Sequence, residues 1–469
     1  MLNETRSGRM SAPEFLQGLI DTLTQRGRSV LGIKPPRHTG EDPDLELLGE
    51  ALLSRRGEAS GVAIAQSLLA VFERAKEPER LKFLSSLADR FGPDRRAVEL
   101  AIAAYKGEDG GAGKKIEALH AAAEPRRQEL IRRLNLAPGG TASLVRMREV
   151  LLSLLSKHPE LQAVDDDFVH LFSSWFNRGF LVLRPIDWTT SANILEKIIK
   201  YEAVHAIQDW DDLRNRLEPT DRRCYAFFHP QLVDEPLIFV EVALTKEIPS
   251  AIGPLLEKPR RAIDAREATT AVFYSISNTQ KGLAGVSFGN FLIKQVVQDL
   301  ARELPNLTTF VTLSPVPGFA NWVRRELKAE ASIAIDDDAR RALAALEDGG
   351  DLAQAREPIT ALAAYYFLKA KLSSGKPVDP VARFHLGNGA RLERLNFLGD
   401  PSPKGLKQSY GLMVNYLYAL EHIEANHEAF AEAGTVVASP QVKKSLRTKL
   451  ASQDLVPRPQ KNPQRKISS

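Results

Sequence analysis

The hydrophobic pattern of this chain changes period near residue 175, and that change most constrains what it can fold into. From about Asp44 to Phe180, apolar and small residues recur at helical spacing: Ala63, Ser67, Leu68, Ala70 and Val71, then Leu81, Leu84, Leu87 and Ala88, then Val98, Ala101, Ile102 and Tyr105. The pattern breaks at Glu77-Pro78, at Gly92-Pro93, in the run GEDGGAG at 107–113, at Ala137 to Gly140 and at His158-Pro159. An all-α region of roughly six to eight helices is expected, with no fixed-period repeat. After HLFSSWFNRGFLVLRPIDW, short β-branched and aromatic runs take over: CYAFFHP at 224–230, PLIFVEVAL at 236–244, TAVFYSIS at 270–277 and LTTFVTLS at 307–314. Helical stretches at about 187–207, 286–303, 317–346, 357–374 and 409–427 lie between or beyond them, which predicts an α/β or α+β domain.

At 469 residues the chain is long enough for two or three domains. Its net charge of +4 is too small at this size to point to a nucleic-acid or membrane-surface partner. Cys224 is the single cysteine, which excludes an internal disulfide framework, a multi-cysteine zinc site and an iron–sulfur cluster held by this chain alone. No run approaches the ~20 apolar residues of a membrane span. The start, MLNETRSGRM, has no apolar core of a secretory signal, so a cytoplasmic protein is expected.

The stretch TAVFYSIS, NTQKGLAG, VSFGNFLIKQVVQDLARE, PNLTTFVTLSP reads as strand, loop, helix, strand. A turn from a strand into a helix can hold a phosphate, because the first N–H groups of the helix have no internal partner and carry partial positive charge. Glycines at 282, 285 and 289 would let the backbone come close, although a glycine-bearing turn can also be only a turn. The loop lacks the lysine-then-hydroxyl ending of a nucleotide P-loop, and no acidic residue follows at the offset of a dinucleotide fold, so ATP and NAD are poor candidates. The Gln280-x-Gly-x-x-Gly spacing resembles the coenzyme A pyrophosphate loop of acetyl-CoA-dependent N-acetyltransferases, which implies an acyl-CoA ligand.

Three further residues stand out downstream. The strand expected at 307–314 runs into TLSPVPGF, with Ser314 at its carboxyl end; Ser before Pro is the grammar of a helix start, with Ser314 as N-cap and Pro315 next, while its hydroxyl could equally face a ligand at the sheet edge. In DPVARFHLGNGA at 379–390, Asp379 reads as an N-cap, Pro380 as the first helical residue and Gly387 or Gly389 as the stop. His385 then falls in the last turn, where the helix dipole favours the protonated ring, or it is a satisfied core residue between Phe384 and Leu386. SYGLMVNYLYALE at 409–421 reads as a helix with Asn415 and Tyr418 on one face.

Four ordered motifs, SISNTQKGLAGVSFGNFLIKQVV, LSPVPGF, DPVARFHLGNGA and YGLMVNYLY, resemble the malonyl-CoA decarboxylase family. The likeness spans most of 175–430 and includes EAVHAIQDW at 202–210 and RRCYAFFHP at 222–230. It implies a multidomain α and α+β protein: a flexible segment at 1–43, a helical oligomerisation domain at 44–174, a catalytic N-acetyltransferase-like mixed-sheet domain at 175–435, and a C-terminal helix with a disordered basic tail at 436–469. Carried over by motif, the coenzyme-binding segment falls on Ala284, Gly285, Val286, Ser287, Phe288, Gly289 and Asn290, beside Gln280 and Gly282 of the loop pattern. The family's serine falls on Ser314 and its catalytic histidine on His385, and Tyr418 joins the same hydrogen-bonded site.

The resemblance also implies decarboxylation of malonyl-CoA to acetyl-CoA and CO₂ by a homo-oligomer, dimer or tetramer, formed through the helical domain. The chain ends in KISS rather than a Ser-Lys-Leu peroxisomal signal. A thioester carbonyl is its own electron sink, so no metal, biotin or pyridoxal cofactor is required. Ser314 is expected to position the malonyl group and His385 to protonate the enolate, with Phe319, Trp322 and Phe384 as candidate walls. The loop by itself would equally suit an acyl-CoA-dependent N-acyltransferase, and a non-catalytic acyl-CoA sensor is a further reading.

Overall fold

The computed structural model describes residues 43–54, 57–106, 112–286, 292–329, 332, 334–347 and 350–446. Ser287, Phe288, Gly289 and Asn290 of the expected coenzyme segment, most of the N-terminal segment and the basic tail lie outside the described residues. The chain clusters into two units: Met1–Phe180 with His229–Val233 and Gln280–Phe288, and Leu181–Phe228 with Asp234–Thr279 and Gly289–Ser469.

The helical unit contains α1 (Leu45–Leu53), α2 (Glu58–Arg74), α3 (Glu77–Asp89), α4 (Arg95–Lys106), α5 (Ala112–Ala123), α6 (Arg126–Asn135), α7 (Gly140–Leu154) and α8 (Gln162–Trp175). The Glu-Pro break is a helix start: Pro78 lies in the first turn of α3, and the Glu79 carboxylate accepts the Lys76 N–H at 2.8 Å. The core is aliphatic and aromatic, with Leu68, Leu84, Leu130, Leu144, Leu151, Val164, Phe168 and Phe172 all buried. The stripe on α4 departs from this. Leu100, Ile102 and Tyr105 are exposed, as is Ile116 on α5, and neither helix carries a buried residue.

The second unit holds β1 (Val182–Pro185), β2 (Arg222–Phe228), β3 (Pro236–Thr245), β4 (Thr270–Asn278), β5 (Thr309–Thr312), β6 (Ser314–Pro315), β7 (Arg391–Asn396) and β8 (Met413–Leu417). The strands run in the order β1, β2, β3, β4, β5, β8, β6, with β7 also paired to β8. Pairing is antiparallel except between β4 and β5, which are parallel and joined through a helix, α12 (Leu292–Glu303 counting α9, Ala192–Tyr201, α10, Trp210–Leu217, and α11, Gly253–Leu256, before it). Ile194, Leu195, Ile198, Leu213 and Leu217 of α9 and α10 pack with Cys224, Ala226, Phe228 and Phe239. The remaining helices are α13 (Phe319–Lys328), α14 (Asp337–Glu347), α15 (Arg356–Leu368), α16 (Pro380–Gly387), α17 (Pro403–Ser409), α18 (Ile423–Ala433) and α19 (Pro440–Ser445).

Two expected elements differ. The run 409–421 is not a helix: α17 stops where Tyr410 (φ 54°) and Gly411 (φ 76°) turn left-handed, and β8 follows. Met413, Val414, Asn415 and Tyr416 are all buried, so the strand is covered on both faces and has no apolar–polar alternation to mark it. Ser314 is not an N-cap either. Leu313 donates its N–H to Phe273 O at 3.0 Å, Ser314 and Pro315 pair with Val414 and Met413, and α13 begins only at Phe319, after Gly318. The expected 317–346 helix is accordingly two helices, α13 and α14.

Candidate active site

Three elements of the sheet unit bring Ser314, His385 and Tyr418 together. Ser314 opens β6, just past the break that separates it from β5. His385 rides on α16, whose start is fixed as its sequence implies: the Asp379 carboxylate accepts the Ala382 N–H at 2.7 Å and Pro380 follows. Tyr418 immediately follows β8, with its N–H bonded to Phe310 O at 2.8 Å.

The contacts form one chain. His385 Nδ1 lies 2.8 Å from the Tyr418 hydroxyl and Nε2 lies 3.2 Å from Ser314 Oγ. Ser314 donates to Thr312 Oγ1 at 2.9 Å, and that oxygen also accepts the Tyr416 N–H at 3.1 Å. Tyr416 and Tyr418, two apart, both meet the imidazole: Tyr416 stacks on it at 4.6 Å between centroids, and Tyr418 meets it edge-on. Asn415 immediately precedes Tyr416; it donates to Thr312 O at 2.8 Å and accepts from Asn396 at 2.8 Å and Arg394 at 3.0 Å. The expected helical pairing of Asn415 with Tyr418 is therefore replaced by a strand pairing of Tyr416 with Tyr418.

Burial sets the protonation states. The His385 ring is fully enclosed, and burial alone lowers its pKa to about 3, against the pull of the helix C-terminus for a cation. Of the two readings the sequence left open, a ring protonated by the helix terminus and a buried core histidine, burial favours the second, a neutral imidazole at neutral pH. Burial likewise drives the ionisation of Tyr416 and Tyr418 upward, so both remain phenols. A neutral imidazole has one N–H. If Tyr418 donates to Nδ1, then Nε2 carries the hydrogen and donates to Ser314, which donates to Thr312; this tautomer gives each of these hydrogens an acceptor.

Asp379 supports the site from below. Burial raises its pKa to about 6, offset in part by the Ala382 N–H and by the Tyr366 hydroxyl at 3.3 Å. Tyr366 packs against Phe319 at 5.4 Å and Trp322 at 5.0 Å, so two of the expected walls belong to a buried aromatic cluster with the tyrosine that holds Asp379. Phe384 lies edge-on to the His385 ring at 5.1 Å.

Among the expected loop residues, Gln280, Gly282, Ala284, Gly285 and Val286 are described, all in the helical unit. Lys281–Leu283 form one 3₁₀ turn, closed by Leu283 N–H to Gln280 O at 3.0 Å, and Gly285 follows at φ 77°, a conformation that favours glycine. Thr312 and Tyr416 were missed by the sequence reading. A T-x-S ending one strand and a Y-x-Y ending another were the signals available, since residues two apart share a face of a strand.

Two family models match the sequence, the malonyl-CoA decarboxylase C-terminal domain over residues 179–456 and the malonyl-CoA decarboxylase N-terminal domain over residues 91–176. The chain belongs to the malonyl-CoA decarboxylase family. The solved structure of malonyl-CoA decarboxylase from Rhodopseudomonas palustris is 64% identical in sequence, with a TM-score of 0.82 over 85% of this chain and 98% of that one. The structure from Agrobacterium vitis is 59% identical, with a TM-score of 0.80 over 86% of this chain and 99% of that one. The mitochondrial malonyl-CoA decarboxylase of Anser anser anser is 35% identical over 399 residues, 77% of this chain and 79% of its own length. Membership of the malonyl-CoA decarboxylase family makes the chain an enzyme, a carboxy-lyase, and its helical region followed by a mixed sheet is the fold class expected from the motifs.

Proposed function

We propose that this enzyme decarboxylates malonyl-CoA to acetyl-CoA and CO₂, with Ser314 steadying the enolate and His385 protonating it. The observation that carries this reading is the hydrogen-bonded chain from Tyr418 through His385 to Ser314 in a member of this family. The coenzyme A portion is held by Gln280, Gly282 and Ala284 to Asn290, as the family motif implies.

Loss of CO₂ leaves its electron pair on the α-carbon, delocalised onto the thioester oxygen. A hydroxyl turned toward that oxygen stabilises it, and Ser314 can supply one by swinging its hydrogen away from Thr312. The α-carbon then takes the proton from Nε2. A neutral imidazole N–H is a weak acid, but a thioester enolate is a far stronger base than an imidazolate, so the transfer runs downhill. Nδ1 can receive the Tyr418 proton as Nε2 gives up its own, which avoids a free imidazolate; Nδ1 then returns that proton to Tyr418 while Nε2 takes one up from solvent as the products leave, which restores the starting tautomer. The sum consumes one proton per turnover, as the overall reaction requires.

The exposed apolar residues Leu100, Ile102, Tyr105 and Ile116 support a homo-oligomer formed through the helical region, which is part of the same proposal. Among the described residues no helix is long and apolar enough to cross a membrane. The test is to incubate purified protein with malonyl-CoA in metal-free buffer and follow both products. Equal yields of acetyl-CoA and CO₂ are expected. Acyl transfer to an added amine, or binding of malonyl-CoA without turnover, would overturn the proposal.

A further inference from the structure

Arg148 is 1% exposed, yet it makes three hydrogen bonds, two to a neighbouring helix and one to the turn at Gly282. It lies on the buried face of α7 with Leu144, Val145, Met147 and Leu151. Its Nε and Nη2 lie side-on to Asp165 of α8, at 2.8 and 3.4 Å, and its Nη1 donates to the carbonyl of Gly282 at 2.8 Å. A fully buried ion pair is weak support for stability alone, since an apolar pair of similar volume does as well or better. What the pair adds is geometry: Asp165 fixes the plane of the guanidinium, and the third donor is aimed at one main-chain oxygen.

That oxygen lies in the turn leading into the segment proposed to bind coenzyme A. The turn is held on two sides. A side chain at Gly282 would put its Cβ 1.9 Å from Val145 O, so the backbone sits directly against α7. Leu283 and Val286 are buried, and Ala284 and Val286 donate their N–H groups to Lys281 O and Leu283 O at 3.0 and 3.1 Å.

We infer that Arg148 is a positioning residue for coenzyme A: by holding the Gly282 carbonyl it sets the path of the turn from Gln280 to Val286, and through it the affinity for the coenzyme portion of the substrate. The inference rests on the coenzyme A reading of this turn. Arg148 touches no reacting atom, so its loss is expected in binding and not in the chemical step.

The experiment uses the full chain and three readouts: free coenzyme A binding by calorimetry, kcat and KM for malonyl-CoA, and thermal melting. Arg148→Lys keeps a cation against Asp165 but cannot hold both partners with one planar fork. It should weaken coenzyme A binding and raise KM by roughly tenfold or more, with kcat within about twofold of wild type. If Arg148→Lys does not fold, Gly282→Ala displaces the same turn while leaving the ion pair intact, and the same rise is expected. A variant that melts lower yet binds coenzyme A and shows KM as wild type does would overturn the inference and leave Arg148 a structural residue. Failure of the wild-type protein to bind coenzyme A would overturn the coenzyme reading itself, and this inference with it.

Discussion

The Tyr418 hydroxyl lies 2.8 Å from His385 Nδ1, both groups buried, and this contact decides which imidazole nitrogen faces Ser314. Tyr418→Phe removes the donor with little change of volume. Either nitrogen can then carry the hydrogen, and the proton taken up at Nδ1 during transfer is lost. We expect kcat to fall by about 10- to 100-fold with KM unchanged, as read from steady-state kinetics on malonyl-CoA. Equal kcat in both proteins would remove Tyr418 from the proton path.

Ser314→Ala separates chemistry from stability cleanly, because Ser314 caps no helix. Its hydroxyl bonds Thr312 Oγ1 and His385 Nε2. The thermal midpoint should move by no more than a few degrees, while kcat falls by roughly 10² or more, the scale of a lost oxyanion donor. Thermal scans beside activity per folded molecule check this; a large drop in midpoint with normal kcat would return the residue to a structural role.

Asp379 holds α16 and with it His385. Asp379→Asn keeps an oxygen for the Ala382 N–H and removes a carboxylate that burial disfavours, so stability and activity should stay close to wild type near neutral pH. Asp379→Ala loses the cap, at a cost of about 1 kcal/mol or more, and leaves the buried Tyr366 hydroxyl without this acceptor. A lower urea midpoint together with lower kcat is expected for the alanine variant alone.

The buried imidazole gives a pH dependence whose sign is fixed. His385 titrates at about 3 in the fold against 6.5 in the unfolded chain, so on acidification the unfolded state takes up a proton that the native core refuses. The stability it leaves intact above 6.5 is lost progressively between 6.5 and about 3. Asp379 runs the other way, since its folded value of about 6 exceeds the ordinary carboxylate value of 3.8 and its buried charge costs stability as pH rises through that window. Urea midpoints at about pH 7.5 and about pH 5 should therefore fall less on acidification in His385→Gln than in wild type. An equal fall in both would mean that the ring is protonated in the folded protein.

Local grammar was enough for some of this site and not for the rest. The start of α16 was legible because Asp379, Pro380 and Gly387 act within one short helix, each through its own backbone preference. The strand β8 was not, because burial on both faces erases the alternation that marks a strand, and the Tyr410-Gly411 turn that ends α17 acts only two residues before it. Ser-Pro at 314–315 fits a helix start and a strand end equally well; the pairing with Val414 and Met413, distant in sequence, decides. The charge on His385 was also out of reach. A helix C-terminus argues for the cation, and burial behind Tyr416, a tertiary fact, overrides it.

In the proposed reaction His385 delivers the proton to the α-carbon. The most direct test is kcat of His385→Gln on saturating malonyl-CoA, with coenzyme A affinity measured on the same preparation. We predict that kcat falls by about 10²- to 10⁴-fold while the affinity stays within about threefold of wild type. A variant that binds coenzyme A normally and still releases CO₂ and acetyl-CoA at the wild-type rate would contradict the account.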